Sequence, residues 1–167
     1  FTVEVVVGLC SATLVAPDIA ATAAHCLWNP RTGRPHRPEF LTFVLGVSRG
    51  DRSAVEAVAA IETQACWSFG DLAAGKADMG CDIALLRLKS PVNAVEPLEM
   101  LRGAVAVAPG TALMIAGYQQ DRPYMLSADS ECRLVGHLRK HAAIVHSCDA
   151  TSGASGSPIL ASVAQWK

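Results

Sequence analysis

Three short segments of the 167-residue chain carry side chains that acyl transfer uses. His25 lies in Thr22-Ala23-Ala24-His25-Cys26, Asp82 in Cys81-Asp82-Ile83-Ala84-Leu85-Leu86, and Ser155 in Ser152-Gly153-Ala154-Ser155-Gly156-Ser157-Pro158. A serine hydroxyl is a weak nucleophile at neutral pH, so a histidine has to take its proton as it attacks a carbonyl. The imidazole in turn needs a carboxylate to fix its tautomer and to stabilise the imidazolium that forms. Glycines on both sides of a serine permit a tight turn in which backbone N–H groups face a developing oxyanion. Each segment also has an ordinary reading. The histidine can sit in a small-residue turn with a core partner, the aspartate can open a strand, and the Ser/Gly run can be a flexible linker. Single motifs of this length have real false-positive rates.

Taken together the segments say more, because their order is His, Asp, Ser and not Asp, His, Ser or Ser, Asp, His. Further carrying residues are the run Cys10-Ser11-Ala12-Thr13-Leu14-Val15-Ala16-Pro17, the sequence DIALLRL opening at Asp82, and CDATSGASGSPIL from Cys148 to Leu160. On these the chain resembles trypsin-like serine peptidases, and within them the bacterial V8-like, or glutamyl-endopeptidase-like, branch. The resemblance runs from about residue 8 to residue 163. It implies an all-β fold of two antiparallel β-barrels, with His25 as general base, Asp82 as its orienter and Ser155 as nucleophile. The N–H groups of Gly153 and Ser155 would form the oxyanion hole. The implied activity is that of a serine endopeptidase working through an acyl-enzyme on a protein or peptide, as a monomer, with no metal and no cofactor. The competing class is an inactive, truncated protease-like domain that serves as a binding module.

The resemblance also implies a Cys10–Cys26 bridge across the base of the first barrel. With it come the expectations that Cys132 and Cys148 tie the second barrel ahead of the nucleophile loop and that Cys66 and Cys81 pin the loop ending at Asp82. Asp149, six residues before Ser155, falls at the floor of the specificity pocket in an ungapped match to the trypsin pattern, where it would select Arg or Lys. Its other reading is a turn residue that hydrogen-bonds backbone next to Cys148. Ala154 stands where animal trypsins carry the aspartate that pairs with a newly cut N-terminus, and no IVGG-type activation sequence is present. Both absences fit the bacterial branch. Ala12 stands where glycine is common. Few residues follow Ser155, so the expectation is a fragment whose second barrel is incomplete and whose 167-residue form is weak or inactive.

The elements that must position these side chains are legible in outline. Apolar runs broken by Gly, Pro, Asp and Asn recur at Phe1–Val7, Cys10–Val15, Phe40–Gly46, Asp82–Leu88, Thr111–Tyr118, Cys132–Leu138, Ala142–His146 and Pro158–Val163, which suggests short strands. Ser53–Glu62 is rich in Ala and Glu and by propensity would be a helix. The resemblance makes it a strand. Asp71–Gly80 reads as a short helix or a loop, and Asn29–Glu39 as a polar, Pro-rich surface loop. A softer break at Ser90–Pro97 divides the chain into a first barrel, 1–90, and a second, 91–167.

Composition sets the outer limits. The chain is 51% hydrophobic and 17% charged with a net charge of −1, which rules out a disordered chain and gives no basic footprint for nucleic acid. No apolar run is long enough for a membrane-spanning helix. The opening Phe1–Val7 run has no charged n-region and no starting Met, so it is not read as a signal peptide. Six cysteines, even in number and without a CxxC pair, point to disulfides and an oxidising, extracellular setting. They allow 15 connectivities. A zinc reading rests only on His137 and His141 at i, i+4 spacing with no cysteine pair nearby.

Overall fold

Short apolar runs ended by turn residues become strands almost throughout. The computed structural model describes residues 3–5, 8–49, 51–100, 107–138 and 143–161. Its strands are β1 (Val3–Val5), β2 (Gly8–Cys10), β3 (Thr13–Ala16), β4 (Ile19–Thr22), β5 (Trp28–Asn29), β6 (Arg34–Pro35), β7 (Leu41–Leu45), β8 (Ala54–Thr63), β9 (Ala84–Leu88), β10 (Ala112–Tyr118), β11 (Leu126–Leu138), β12 (Ala143–His146) and β13 (Ile159–Ala161). One short helix, α1 (Phe69–Ala73), is capped by the Ser68 side chain, which accepts the Asp71 N–H. It covers only the start of the Asp71–Gly80 stretch, where the sequence left helix and loop open.

Seven strands form one sheet in the order β2-β1-β7-β8-β9-β4-β3, and every pairing in it is antiparallel. Its two outer members, β2 and β3, are separated in the chain by Ser11 and Ala12 alone. The sheet therefore curls back on itself, and its interior is filled by Leu14, Leu41, Phe43, Val58, Leu86 and their neighbours. A second, four-stranded antiparallel sheet runs β12-β11-β10-β13 around a much smaller cluster of Leu113, Cys132 and Leu134. The fold is all-β, two curled antiparallel sheets of which the second is a partial barrel.

β8 is the strand that propensity alone would have made a helix. It lies between β7 and β9, buries Val58, half-buries Glu56 and leaves Glu62 exposed. Ladder bonds on both sides outweigh a propensity difference of a few tenths of a kcal/mol per residue. The Asn29–Glu39 segment is on the surface, but it is more ordered than a plain loop. Trp28–Asn29 pairs with Arg34–Pro35, Gly33 takes a left-handed φ of 64° at the turn, and Asn29 Oδ1 accepts the Arg31 N–H. The Ser90–Pro97 stretch has no regular structure. It follows the first sheet, with the Val92 N–H on the Pro17 carbonyl at 2.7 Å and the Val92 side chain buried in the first core.

Three disulfides join Cys10 to Cys26, Cys66 to Cys81 and Cys132 to Cys148. With separations of 15 or 16 residues, each closed loop contributes about 3 kcal/mol in the loop-entropy description. No helix among the described residues is long and apolar enough to cross a membrane. His141, most of the Phe1–Val7 run and the end of the Pro158–Val163 run lie outside the described residues.

Candidate active site

His25 and Asp82 meet because of strand register. β4 pairs with β9 so that Thr22 faces Ala84. His25 follows Thr22 by three residues and Asp82 precedes Ala84 by two, which brings both to the same end of adjacent strands. Past Thr22 the chain turns into a 3₁₀ turn, Ala24–Leu27, whose Ala24 packs with no exposure. Side chains of that size let the turn sit against the barrel end. Asp82 is aimed by a turn of its own. It follows the 3₁₀ turn Met79–Cys81, has φ −79° and ψ 57°, and the Ile83 N–H donates to the Cys81 carbonyl across it at 2.8 Å. That is an inverse γ-turn, a common way to start a strand. The Cys66–Cys81 bridge anchors the residue just before it.

The two side chains are joined twice. Asp82 Oδ2 lies 2.6 Å from His25 Nδ1, and Asp82 Oδ1 accepts the His25 backbone N–H at 2.7 Å. A carboxylate only accepts, so Nδ1 carries the hydrogen and Nε2 of the neutral ring is left as an acceptor. The Asp82 side chain is 8% exposed and that of His25 34%, so the carboxylate is shielded while the imidazole stays open to a ligand.

Ser155 lies on the loop between β12 and β13. Gly153 and Gly156 on either side take left-handed φ values of 95° and 82°. Each is also a close approach. A Cβ on Gly153 would lie 2.6 Å from the Tyr118 carbonyl oxygen, and one on Gly156 would collide with the Ser11 carbonyl and the Thr22 hydroxyl. The turn is held by its carbonyls. Thr151 C=O accepts from Ala154, Ser152 C=O from Gln120, Ala154 C=O from Ser157 and Ser155 C=O from Ser11, all backbone N–H donors at 2.6–3.1 Å. The Gly153 carbonyl accepts the Ser11 hydroxyl at 3.0 Å. Among the described residues the N–H groups of Gly153 and Ser155 donate to nothing.

The Ser155 turn and the His25 ring converge on one sulfur. Cys26 Sγ is 3.8 Å from His25 Nε2 and 3.9 Å from the Ser155 carbonyl oxygen. Among the described residues no hydrogen bond joins the Ser155 hydroxyl to the imidazole. In resting sites such bonds are often long and tighten when substrate binds. Cys10, His25 and Cys26 bring three donor atoms within 4.8 Å of one another, but both sulfurs are consumed in a disulfide, so the group offers a metal one imidazole only. His137 does not join it, since its Nε2 contacts the Val107 carbonyl.

Asp149 is exposed, and its backbone N–H donates to Asp129 Oδ2 at 2.8 Å. The Asp129 carboxylate also accepts the Glu131 N–H, and these two bonds, that from Asp149 first, hold its carboxyl below the usual carboxylate range. His146 Nδ1 accepts the Cys148 N–H within the approach to the loop.

Ser11, Tyr118 and Gln119, outside the three motifs, complete the arrangement together with Thr22. Gln119 Oε1 accepts the Thr151 N–H and hydroxyl, Tyr118 is buried with its hydroxyl on the Val47 carbonyl, and Thr22 donates to the Ser11 carbonyl. Ser11 is the one with a visible signal in the sequence, a polar residue inside the Cys10–Val15 apolar run. Gln119 and Tyr118 give none, because their task depends on where β10 ends.

The chain matches a protein-family model described as "Trypsin-like peptidase domain" over residues 10–166. Among solved structures it is similar to a human heparin binding protein, with TM-score 0.73 and 16% identity over 96% of this chain and 74% of that one. It is also similar to the scabies mite inactivated protease paralogue S-I1, with TM-score 0.69 and 15% identity over 90% of this chain and 71% of the other. At such identities the likeness concerns the fold, that of the chymotrypsin-type double β-barrel.

Proposed function

The chain belongs to the family of trypsin-like peptidase domains, and on that premise we propose that it is an extracellular serine endopeptidase of the V8-like branch. The observation that carries this reading is the convergence of a 2.6 Å His25–Asp82 pair and the Ser155 turn on the Cys10–Cys26 bridge. We assign 1–90 to the barrel that supplies His25 and Asp82 and 91–167 to the one that supplies Ser155.

In the proposed reaction the Ser155 hydroxyl attacks the scissile carbonyl while His25 Nε2 takes its proton. Negative charge moves to the carbonyl oxygen, to which the N–H groups of Gly153 and Ser155 donate. Losing one such donor costs about 2.7–4 kcal/mol of transition-state stabilisation. The imidazolium, steadied by Asp82, returns the proton to the leaving amine, and the C–N bond breaks to give an acyl-enzyme and the first product. Water then attacks the ester with His25 again taking the proton, which regenerates Ser155 and releases the acid. No step calls for a metal or a cofactor.

The CSATLVAP run and Ala154 support the V8-like branch. The exposed Asp149 carboxylate supports its reading as a loop residue, and a library varied at the residue before the cleaved bond decides the point. An Arg or Lys preference lost in Asp149→Ser would make it the pocket's base. A fluorophosphonate probe tests the main reading. Labelling at Ser155, absent in Ser155→Ala and in His25→Ala, is the expected result, and a folded chain that takes no label overturns it. The second reading, a non-catalytic binding module, is favoured by the missing Ser155–His25 hydrogen bond.

A further inference from the structure

Ser11 is fully buried, and both its side chain and its backbone are spent on joining the two sheets. Its hydroxyl accepts the Tyr118 N–H at 2.8 Å and donates to the Gly153 carbonyl at 3.0 Å. Its own N–H donates to the Ser155 carbonyl at 2.8 Å, and its carbonyl accepts the Thr22 hydroxyl at 2.8 Å. A hydroxyl has one hydrogen to give, and here it goes to the nucleophile turn while β10 supplies the donor in return. Thr22 is three residues ahead of His25, so one residue is tied at once to the histidine strand, to β10 and to the turn that carries Ser155.

The placement within that turn matters more than the number of bonds. The Gly153 and Ser155 N–H groups belong to the 152–153 and 154–155 peptide units, whose carbonyls are held by Gln120 and Ser157. Ser11 holds the carbonyls of the two remaining units, 153–154 through its hydroxyl and 155–156 through its N–H. Gly153 has no Cβ and a φ of 95°, so sterics alone leave the 153–154 unit free to rotate. Rotation of that unit would change the directions of the neighbouring N–H groups.

We propose that Ser11 is a positioning residue that locks the peptide units of the Ser155 turn so that the Gly153 and Ser155 N–H groups aim at one oxyanion. This rests on the peptidase reading for its effect on rate, but the lock itself is a property of the folded chain. Loss of the hydroxyl leaves the chemistry of His25 and Asp82 untouched and spoils the donors that act only in the transition state. The effect therefore falls on kcat and not on KM.

The test uses the whole 167-residue chain as wild type, Ser11→Ala and Ser11→Gly. The glycine variant leaves room for a water to satisfy the Tyr118 N–H and the Gly153 carbonyl, and so keeps a folded protein if alanine does not. Active sites are titrated with a fluorophosphonate, and kcat is expressed per titrated site. The expected result is a fall of about 10²-fold in kcat per site with KM and the pH profile unchanged. A residue that merely held the fold together would lower the titrated fraction and leave kcat per site at the wild-type value, and that result overturns the proposal. Amide exchange at Ala154 and Ser157 gives a second reading that needs no activity. Both should exchange faster in the variants than in wild type, and unchanged exchange overturns the lock even if the wild-type chain takes no fluorophosphonate.

Discussion

Asp82 touches His25 with both of its oxygens, and the two contacts respond differently to substitution. In Asp82→Asn the amide oxygen can keep the bond to the His25 backbone N–H, so the turn stays in place. The NH₂ group then faces Nδ1 and forces the ring hydrogen onto Nε2, where the Ser155 proton has to go. The expected outcome is a loss of about 10⁴-fold in kcat with little change in the thermal midpoint. A variant within tenfold of wild type would mean that the 2.6 Å pair is not what sets the tautomer. Gly156 makes a sharper demand. It has φ 82°, and an added Cβ would run into the Ser11 carbonyl and the Thr22 hydroxyl and approach the Ala23 nitrogen to 3.0 Å. Two of those three are backbone atoms that cannot rotate away. Gly156→Ala should therefore lose fluorophosphonate labelling while β7 and β8, which do not pair with β4, keep their amide protection. Labelling at the wild-type rate would show that the turn can shift without cost. These two residues also mark what a sequence shows and hides. Asp82 and Ser155 stand in recognisable strings, whereas the role of Ser11 comes from contacts with residues more than a hundred positions away.

Strand register, more than any single side chain, assembles the candidate site, and register is where the sequence speaks least clearly. The Thr22–Ala84 pairing puts His25 beside Asp82, yet β4 is a four-residue strand of Ile, Ala, Ala and Thr that barely stands out as an apolar run. β8 reads as a helix until its neighbours are known. The first half of β11 is mostly polar and has no buried residue before Cys132, so no apolar run announces it. What made the rest legible was turn chemistry, since Pro17-Asp18, Gly46 and Gly110 fall where strands end or begin. β11 carries its own device for holding the nucleophile loop. Asp129 accepts the N–H groups of Asp149 and Glu131, and these bonds lower its carboxyl pKa in the folded chain. Over the interval between the folded and unfolded values the unfolded chain binds more protons, so stability rises with pH. The contribution is complete above about pH 3.9, the ordinary aspartate value, and is lost as pH falls through the lower folded value. Asp129→Asn should thus lower the urea midpoint at pH 6, and the gap between variant and wild type should close by pH 2. A gap that stays the same at both pH values would show that the carboxylate does not hold the loop.

The two sheets are unequally supported across the whole molecule. The first encloses a continuous core from Ala12 to Val92, with Phe43, Leu14 and Leu86 wholly buried. The second rests on Leu113, Cys132 and Leu134, while Val135, Leu138, Ile144 and Val145 on β11 and β12 lie exposed. Burying a leucine contributes about 1.5–3 kcal/mol. The Cys132–Cys148 bridge, at about 3 kcal/mol for a 16-residue separation, therefore matches one or two of the leucines in that small core. In the first sheet a bridge of the same size is a minor share. Regions with few buried contacts open at lower free energy than the rest of a molecule. Exchange measured along a urea series should accordingly show β10–β13 taking up deuterium before β7, β8 and β9. Replacing Cys132 and Cys148 by alanine should widen that difference by moving the β10–β13 transition to lower urea and leaving the β7–β9 transition in place. Uniform movement of all strands would mean that the sheets unfold as one unit. In that case the bonds that Ser11 makes to Ser155, Gly153 and Tyr118 would couple the sheets more strongly than the difference between their cores separates them. The ordered outcome is expected because those bonds, at about 1 kcal/mol net each, are too few to offset a core as unequal as this one.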